Sequence, residues 1–113
     1  MSRIIIQARL VVPGFHYWLG APEHLSFLRH THRHNLHIKV GFRVGGSDRE
    51  LEFFELQNEI RSALDGLYPH NGFGYDFQGK SCEMIAGELC DQLAAFYVGV
   101  FEDNENGAYY YAD

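Results

Sequence analysis

Asn35-Leu-His-Ile-Lys-Val-Gly-Phe-Arg-Val44 is the stretch whose reading decides the fold. Leu36, Ile38, Val40, Phe42 and Val44 fall on one side of an extended chain, and His37, Lys39, Gly41 and Arg43 on the other. A period of two with one apolar side is the signature of a half-buried β-strand. Upstream, Arg3-Ile-Ile-Ile-Gln-Ala-Arg-Leu-Val-Val12 repeats the pattern, with positions 4, 6, 8, 10 and 12 apolar and Gln7 and Arg9 opposite. The two segments are expected to pair as antiparallel strands. Pro13-Gly14 is expected to interrupt the first strand as a bend or bulge, and residues 20–31 read as a loop.

Downstream the period changes. Gly45-Gly46 ends the strand, and Ser47-Asp-Arg-Glu50 has the spacing of a helix capping box. Phe53, Leu56, Ile60, Leu64 and Leu67 then recur at intervals of three and four, the apolar stripe of a helix that fades at Gly66 and Pro69. Residues 69–80 form a glycine-rich aromatic connection, long for a compact domain. Ser81 is placed to cap a second helix, with Glu83 in its first turn and a stripe of Cys82, Ile85, Leu89, Leu93 and Phe96. Tyr97–Glu102 and Ala108–Tyr111 flank the turn residues Asn104–Gly107 as a last pair of strands. The order is ββααββ over a single domain, residues 1–113. The expected architecture is α+β, an antiparallel four-stranded sheet with two helices on one face. Its open edges favour an oligomer.

Composition sets the class of partner. The chain has 113 residues, 46% hydrophobic and 21% charged, with a formal charge of −6. That acidic balance, without a basic stripe, argues against nucleic acid. No apolar run is long enough to span a bilayer, and residues 1–12 lack the hydrophobic segment of a secretory signal. A cytoplasmic location is expected. Cys82 and Cys90 fall in one predicted helix, ~12 Å apart along its axis, so they should not form a disulfide, which needs Cα atoms within ~7 Å.

Histidine is the unusual residue: seven in all, four of them in His30-Thr-His-Arg-His-Asn-Leu-His37. His32 and His34 are two apart at the start of a strand, so their imidazoles project to the same side. With His16 near the end of the neighbouring strand they could form a three-histidine zinc site with an open fourth position. The same residues also fit a solvated surface cluster. His24, His30 and His37 read as surface or supporting residues, and His37 has the wrong parity for the His32/His34 side. Glu102, closing the strand Val98-Gly-Val-Phe-Glu102, could accept two parallel N–H bonds from a planar guanidine-like ring edge, or be a solvated acid. Asp65 and His70 flank the end of the first helix and could relay a proton near a metal, although Asp65 reads equally well as a surface acid. Phosphate-binding glycine loops, nucleophile elbows and Cys-x-x-Cys pairs are absent from the sequence.

Taken in order, these features resemble the 6-pyruvoyl-tetrahydropterin synthase / 6-carboxy-tetrahydropterin synthase family of the tunnelling fold. Phe15-His16 resembles the family's first-strand histidine, and His32-Arg-His34-Asn35 its zinc-binding His-Gly-His-Asn/Ser. Glu52-Phe-Phe-Glu-Leu56 resembles the Asp-Phe-x-x-Leu of the first helix, Ser81-Cys-Glu-Met-Ile-Ala86 the Thr-Ser-Glu-Asn-Ile-Ala of the second, and Val100-Phe-Glu102 the Val-x-Glu that grips the pterin ring. The resemblance implies a homohexamer of two stacked trimers, each closing its sheets into a barrel with sites between subunits. It implies zinc on His16, His32 and His34, and a pterin substrate, dihydroneopterin triphosphate, held by Glu102 with backbone near Ser81 and Cys82. It leaves the product open among folate, biopterin and queuosine-type routes.

The sequence departs from the family at its acid–base residues. Leu28 stands where the family has a catalytic cysteine, and Glu23 is out of register with the glutamate some relatives use. Leu64-Asp65-Gly66 lacks the histidine of Leu-Asp-His, leaving Asp65 and His70 as the relay and His30 or Glu23 as candidate bases. Three readings follow: a zinc-dependent lyase, a module that binds a pterin or purine-like ligand without turnover, and a structural assembly domain.

Overall fold

A computed structural model describes residues 3–112. The chain runs β1 (Ile4–His16), a 3-10 segment (Glu23–Arg29), β2 (His32–Val44), α1 (Phe53–Leu67), β3 (Tyr75–Gln78), α2 (Cys82–Leu93), β4 (Tyr97–Glu102) and β5 (Asn106–Tyr111). One five-stranded sheet has the order β3-β1-β2-β4-β5. β1 and β2 form a continuous antiparallel ladder from Ile4 opposite Val44 to His16 opposite His32. β2–β4 and β4–β5 are antiparallel as well.

The even-numbered side of the central strands is the core. Ile38, Val40, Val98 and Val100 meet Ile60 and Leu64 of α1 and Ile85 and Leu89 of α2, all fully buried. The odd-numbered side carries no helix and instead shows an aromatic layer, with Tyr97, Phe101, Tyr109 and Tyr111 in edge-to-face or tilted contact. Lys39 lies 4.6 Å from the centre of the Phe101 ring and Arg43 4.3 Å from that of Phe96.

Four expectations from the sequence need correction. The sheet has five strands, not four, and the fifth is parallel: Tyr75–Gln78 lies inside the segment read as a connection and joins the free edge of β1. Four residues are too few to show a period among glycines, although Tyr75 and Phe77 are both buried. Pro13-Gly14 does not end β1, because β1 continues to His16. Gly14 is needed there for its smallness, since a Cβ at this position would meet Phe77 Cε2 at 2.6 Å. Ser47-Asp-Arg-Glu50 does not cap α1. Glu50 turns back to the amides of Gly45 and Gly46, and Glu52 caps instead, accepting from Phe54 N at 2.9 Å and Glu55 N at 3.1 Å. Phe96 is not part of the α2 stripe: the helix stops at Leu93, Ala94 takes a left-handed φ of 51°, and Phe96 packs on Tyr97 and Tyr111.

Other expectations hold. Ser81 caps α2 through Met84 N at 3.2 Å, and Cys82 and Cys90 are both free and buried. Among the described residues no helix is long and apolar enough to cross a membrane. Residues 20–31, read as a loop, contain the short 3-10 segment, broken at Leu25.

Ile60 is completely buried between the sheet and α2. Ile60→Ala is expected to destabilise the fold by about 2–5 kcal/mol, read as a lower urea midpoint at unchanged slope.

Candidate metal centre

The register of the β1–β2 ladder builds the site. His16 and His32 are cross-strand partners, and His34 lies two residues further along β2, opposite Gly14. All three are even-numbered, so they project to the side that carries the helices, at the end of the hairpin. Their ring centroids are 4.5, 5.2 and 5.1 Å apart, and one nitrogen from each lies within 4.8 Å of the other two.

The remaining nitrogens are all occupied. His16 Nδ1 is 3.0 Å from the Lys80 carbonyl oxygen, His32 Nδ1 2.8 Å from the His30 carbonyl oxygen, and His34 Nδ1 2.8 Å from Asp103 Oδ2. Carbonyl and carboxylate oxygens only accept, so each Nδ1 donates, and Nε2 is the nitrogen left for a metal once the ring is neutral. This is the outer arrangement that orients histidines on a metal ion. His16 Nε2 is buried and its one close polar neighbour is the Glu102 carboxylate, 3.1 Å away but outside good hydrogen-bond geometry. Three imidazole nitrogens facing a common point are the donor set of a three-histidine zinc site, and a buried nitrogen among them without a well-formed hydrogen bond fits that use. The residues present therefore fit the metal.

Local structure holds these partners in place. Lys80 follows Gln78, which bends the chain with a φ of 56°. Its ammonium is 2.5 Å from Glu88 of α2, which also accepts from the Tyr68 hydroxyl at 2.7 Å. The carbonyl that aligns His16 is thus fixed from both helices.

Glu102, at the end of β4, faces the histidines. Its Oε2 is 3.1 Å from His16 Nε2 and 3.7 Å from His34 Nε2. Contact with Glu102 raises the His16 imidazole above its ordinary value, against the effect of burial. In return, contact with His16 lowers the Glu102 carboxyl despite burial. The acid is thus an ionised acceptor beside the three nitrogens.

The three histidines, Glu102, Ser81 and Cys82 line one cavity of about 610 Å³. Leu28 also lines it, putting an aliphatic side chain where the sequence lacks the expected cysteine. Cys82 does not make good that absence. Burial, followed by the charge of Glu102, pushes its thiol up to about 12, so it is neutral and unreactive.

Asp65 and His70 are outside the lining of this cavity. Each contacts Tyr75, whose hydroxyl donates to Asp65 Oδ1 at 2.5 Å. The His70 ring stands edge-on to the Tyr75 ring with centroids 4.8 Å apart. His70 Nδ1 accepts from Gly72 N at 3.0 Å, which leaves Nε2 as its donor. Burial, and then Asp65, push the Tyr75 phenol up to about 12. Of the other candidates, His30 contributes its carbonyl, Glu23 pairs with Arg29 at the surface, and His37 faces the opposite side near Arg9. Sequence reasoning missed Asp103, whose place after Glu102 reads only as turn chemistry, and the Lys80 carbonyl, which carries no side-chain signal.

No protein-family model and no curated protein matches the chain in sequence. Among solved structures it is similar to 6-pyruvoyl tetrahydropterin synthase from Caenorhabditis elegans, with a TM-score of 0.67 and 14% identity over 100% of this chain and 98% of that one. The chain therefore has the α+β tunnelling fold of that pterin synthase, with three histidines that could hold a metal.

Proposed function

We propose that this chain is a zinc-dependent lyase of the pterin synthase type, converting dihydroneopterin triphosphate to a 6-carboxy- or 6-pyruvoyl-tetrahydropterin. The observation that carries the reading is the convergence of three imidazole nitrogens beside an ionised Glu102 in one cavity. The likeness to the nematode synthase supports it. His16, His32 and His34 hold the zinc. Bound there, zinc acts as a Lewis acid that stabilises negative charge developing on the substrate's side-chain oxygens. Glu102 accepts two N–H bonds from the pterin ring edge, helped by backbone around Ser81 and Cys82.

Asp65 and His70 relay the proton. Because they lie outside their own chain's cavity, this role belongs to an assembly in which a neighbouring subunit presents them, the homohexamer of two stacked trimers. The protein works in the cytoplasm, where its two thiols stay reduced.

A second reading is favoured by Leu28 and Cys82. Neither an aliphatic side chain nor a thiol pushed up to about 12 moves a proton at neutral pH, so the cavity would bind a pterin or purine-like ligand without turnover.

Purified untagged protein is expected to carry about one zinc per chain by mass spectrometry, the stoichiometry of a three-histidine site, and His34→Ala to lose it. Metal affinity should fall as pH drops, beginning above the ordinary histidine range because Glu102 raises the His16 imidazole and a protonated imidazole has no lone pair to offer.

Zinc-loaded protein should consume dihydroneopterin triphosphate, with activity lost in His32→Ala. No consumption with zinc in excess overturns the enzyme. The binding module then predicts a thermal shift: a pterin at ~100 times its Kd adds ~2.7 kcal/mol, and Glu102→Gln removes the effect. No shift with any pterin or deazapurine overturns that reading too.

A further inference from the structure

The three imidazoles are not held alike. His16 and His32 donate to backbone carbonyls, whereas His34 donates to the carboxylate of Asp103 at 2.8 Å. We propose that Asp103 is a positioning residue of the metal centre, fixing the ring of His34 and its proton so that Nε2 is presented to the ion. This inference rests on the reading of the triad as a metal site.

Asp103 is well built for the task. Its second carboxylate oxygen accepts from the backbone N–H of Asn35 at 2.9 Å, and its own N–H donates to the Asn35 carbonyl at 2.8 Å. Both contacts tie the β4–β5 turn to the residue that follows His34. The side chain is about half exposed, so burial does not hold it; the reciprocal backbone contacts do.

The turn alone does not explain the residue. Asp103 and Asn104 have φ of 53° and 59°, and Glu105 N donates to Glu102 O at 2.9 Å. Two successive left-handed residues closed in this way favour asparagine or glycine at least as much as aspartate. What only a carboxylate provides is two acceptor oxygens, one for Asn35 and one for His34. Asparagine has a single acceptor oxygen and must give up one of the two. A carboxylate is also the stronger acceptor, and it makes the imidazole it holds a better metal donor.

Asp103 follows Glu102 directly, so one short connection carries both the acid that faces the histidines and the acid that orients one of them. Loss of Asp103 should therefore weaken the metal rather than unfold the sheet.

The test is zinc affinity by chelator competition in wild type, Asp103→Asn and Asp103→Ala. The alanine variant is expected to bind zinc about 10–100-fold more weakly, and the asparagine variant to fall between it and wild type. A second readout uses metal-free protein: long-range proton–nitrogen NMR at pH 8 should show His34 protonated on Nδ1 in wild type and mixed between its two nitrogens in Asp103→Ala. His16 and His32 should be unchanged, which a general structural loss would not produce. Should the alanine variant fail to fold, the asparagine variant carries both measurements. Wild-type protein that binds zinc no more tightly than folded variants overturns the role of Asp103 alone. Wild-type protein that takes up no zinc overturns the metal reading and this role together.

Discussion

The pairing register between β1 and β2 is the constraint on which the rest depends. Antiparallel pairing sets His16 opposite His32, and the period of two then brings His34 to the same side. A slip of one residue would turn every side chain of one strand to the other face. Such a slip would expose Ile38 and Val40 and scatter the histidines at once. Core and site are therefore specified by the same choice, and the burial of the central strands protects the geometry of the three histidines.

Around that frame the site is made of restraints on rings. Each imidazole has one nitrogen committed to a fixed oxygen, and those oxygens come from three different parts of the chain: the segment before α2, the segment before β2 and the β4–β5 turn. Because these acceptors cannot donate, each ring carries a proton on Nδ1. Orientation is thereby settled before any ion arrives, which lowers the cost of assembling the site. Glu102 adds negative charge beside His16 and His34 in the same partly buried pocket.

The strands of the central sheet were legible because half-burial writes a period of two into Leu36–Val44 and Ile4–Val12. The His-x-His pair was legible because parity alone puts both rings on one side. β3 was not, since four residues beside glycines show no period and the strand is defined by its neighbour β1. The start of α1 misled for a physical reason: Ser47 and Glu50 have capping-box spacing, yet Glu50 finds the free amides of Gly45 and Gly46 and leaves the cap to Glu52. Asp103 was invisible because its partner, His34, lies 69 residues away in sequence. The place of Leu28 in the cavity follows the alignment of motifs, and no property of leucine itself would have suggested it.

That separation in sequence has a consequence for how the protein is made. His16, His32 and His34 belong to one hairpin whose closing loop is local, a contact that forms early and fast. Glu102 and Asp103 arrive only when β4 docks beside β2, a long-range pairing with a larger loop-closure cost. The three nitrogens can thus be gathered in a chain that has not finished folding, while the acids that tune them are absent. An ion bound at that stage stabilises the unfinished hairpin along with the native protein, so the net gain in stability is smaller than the final affinity suggests.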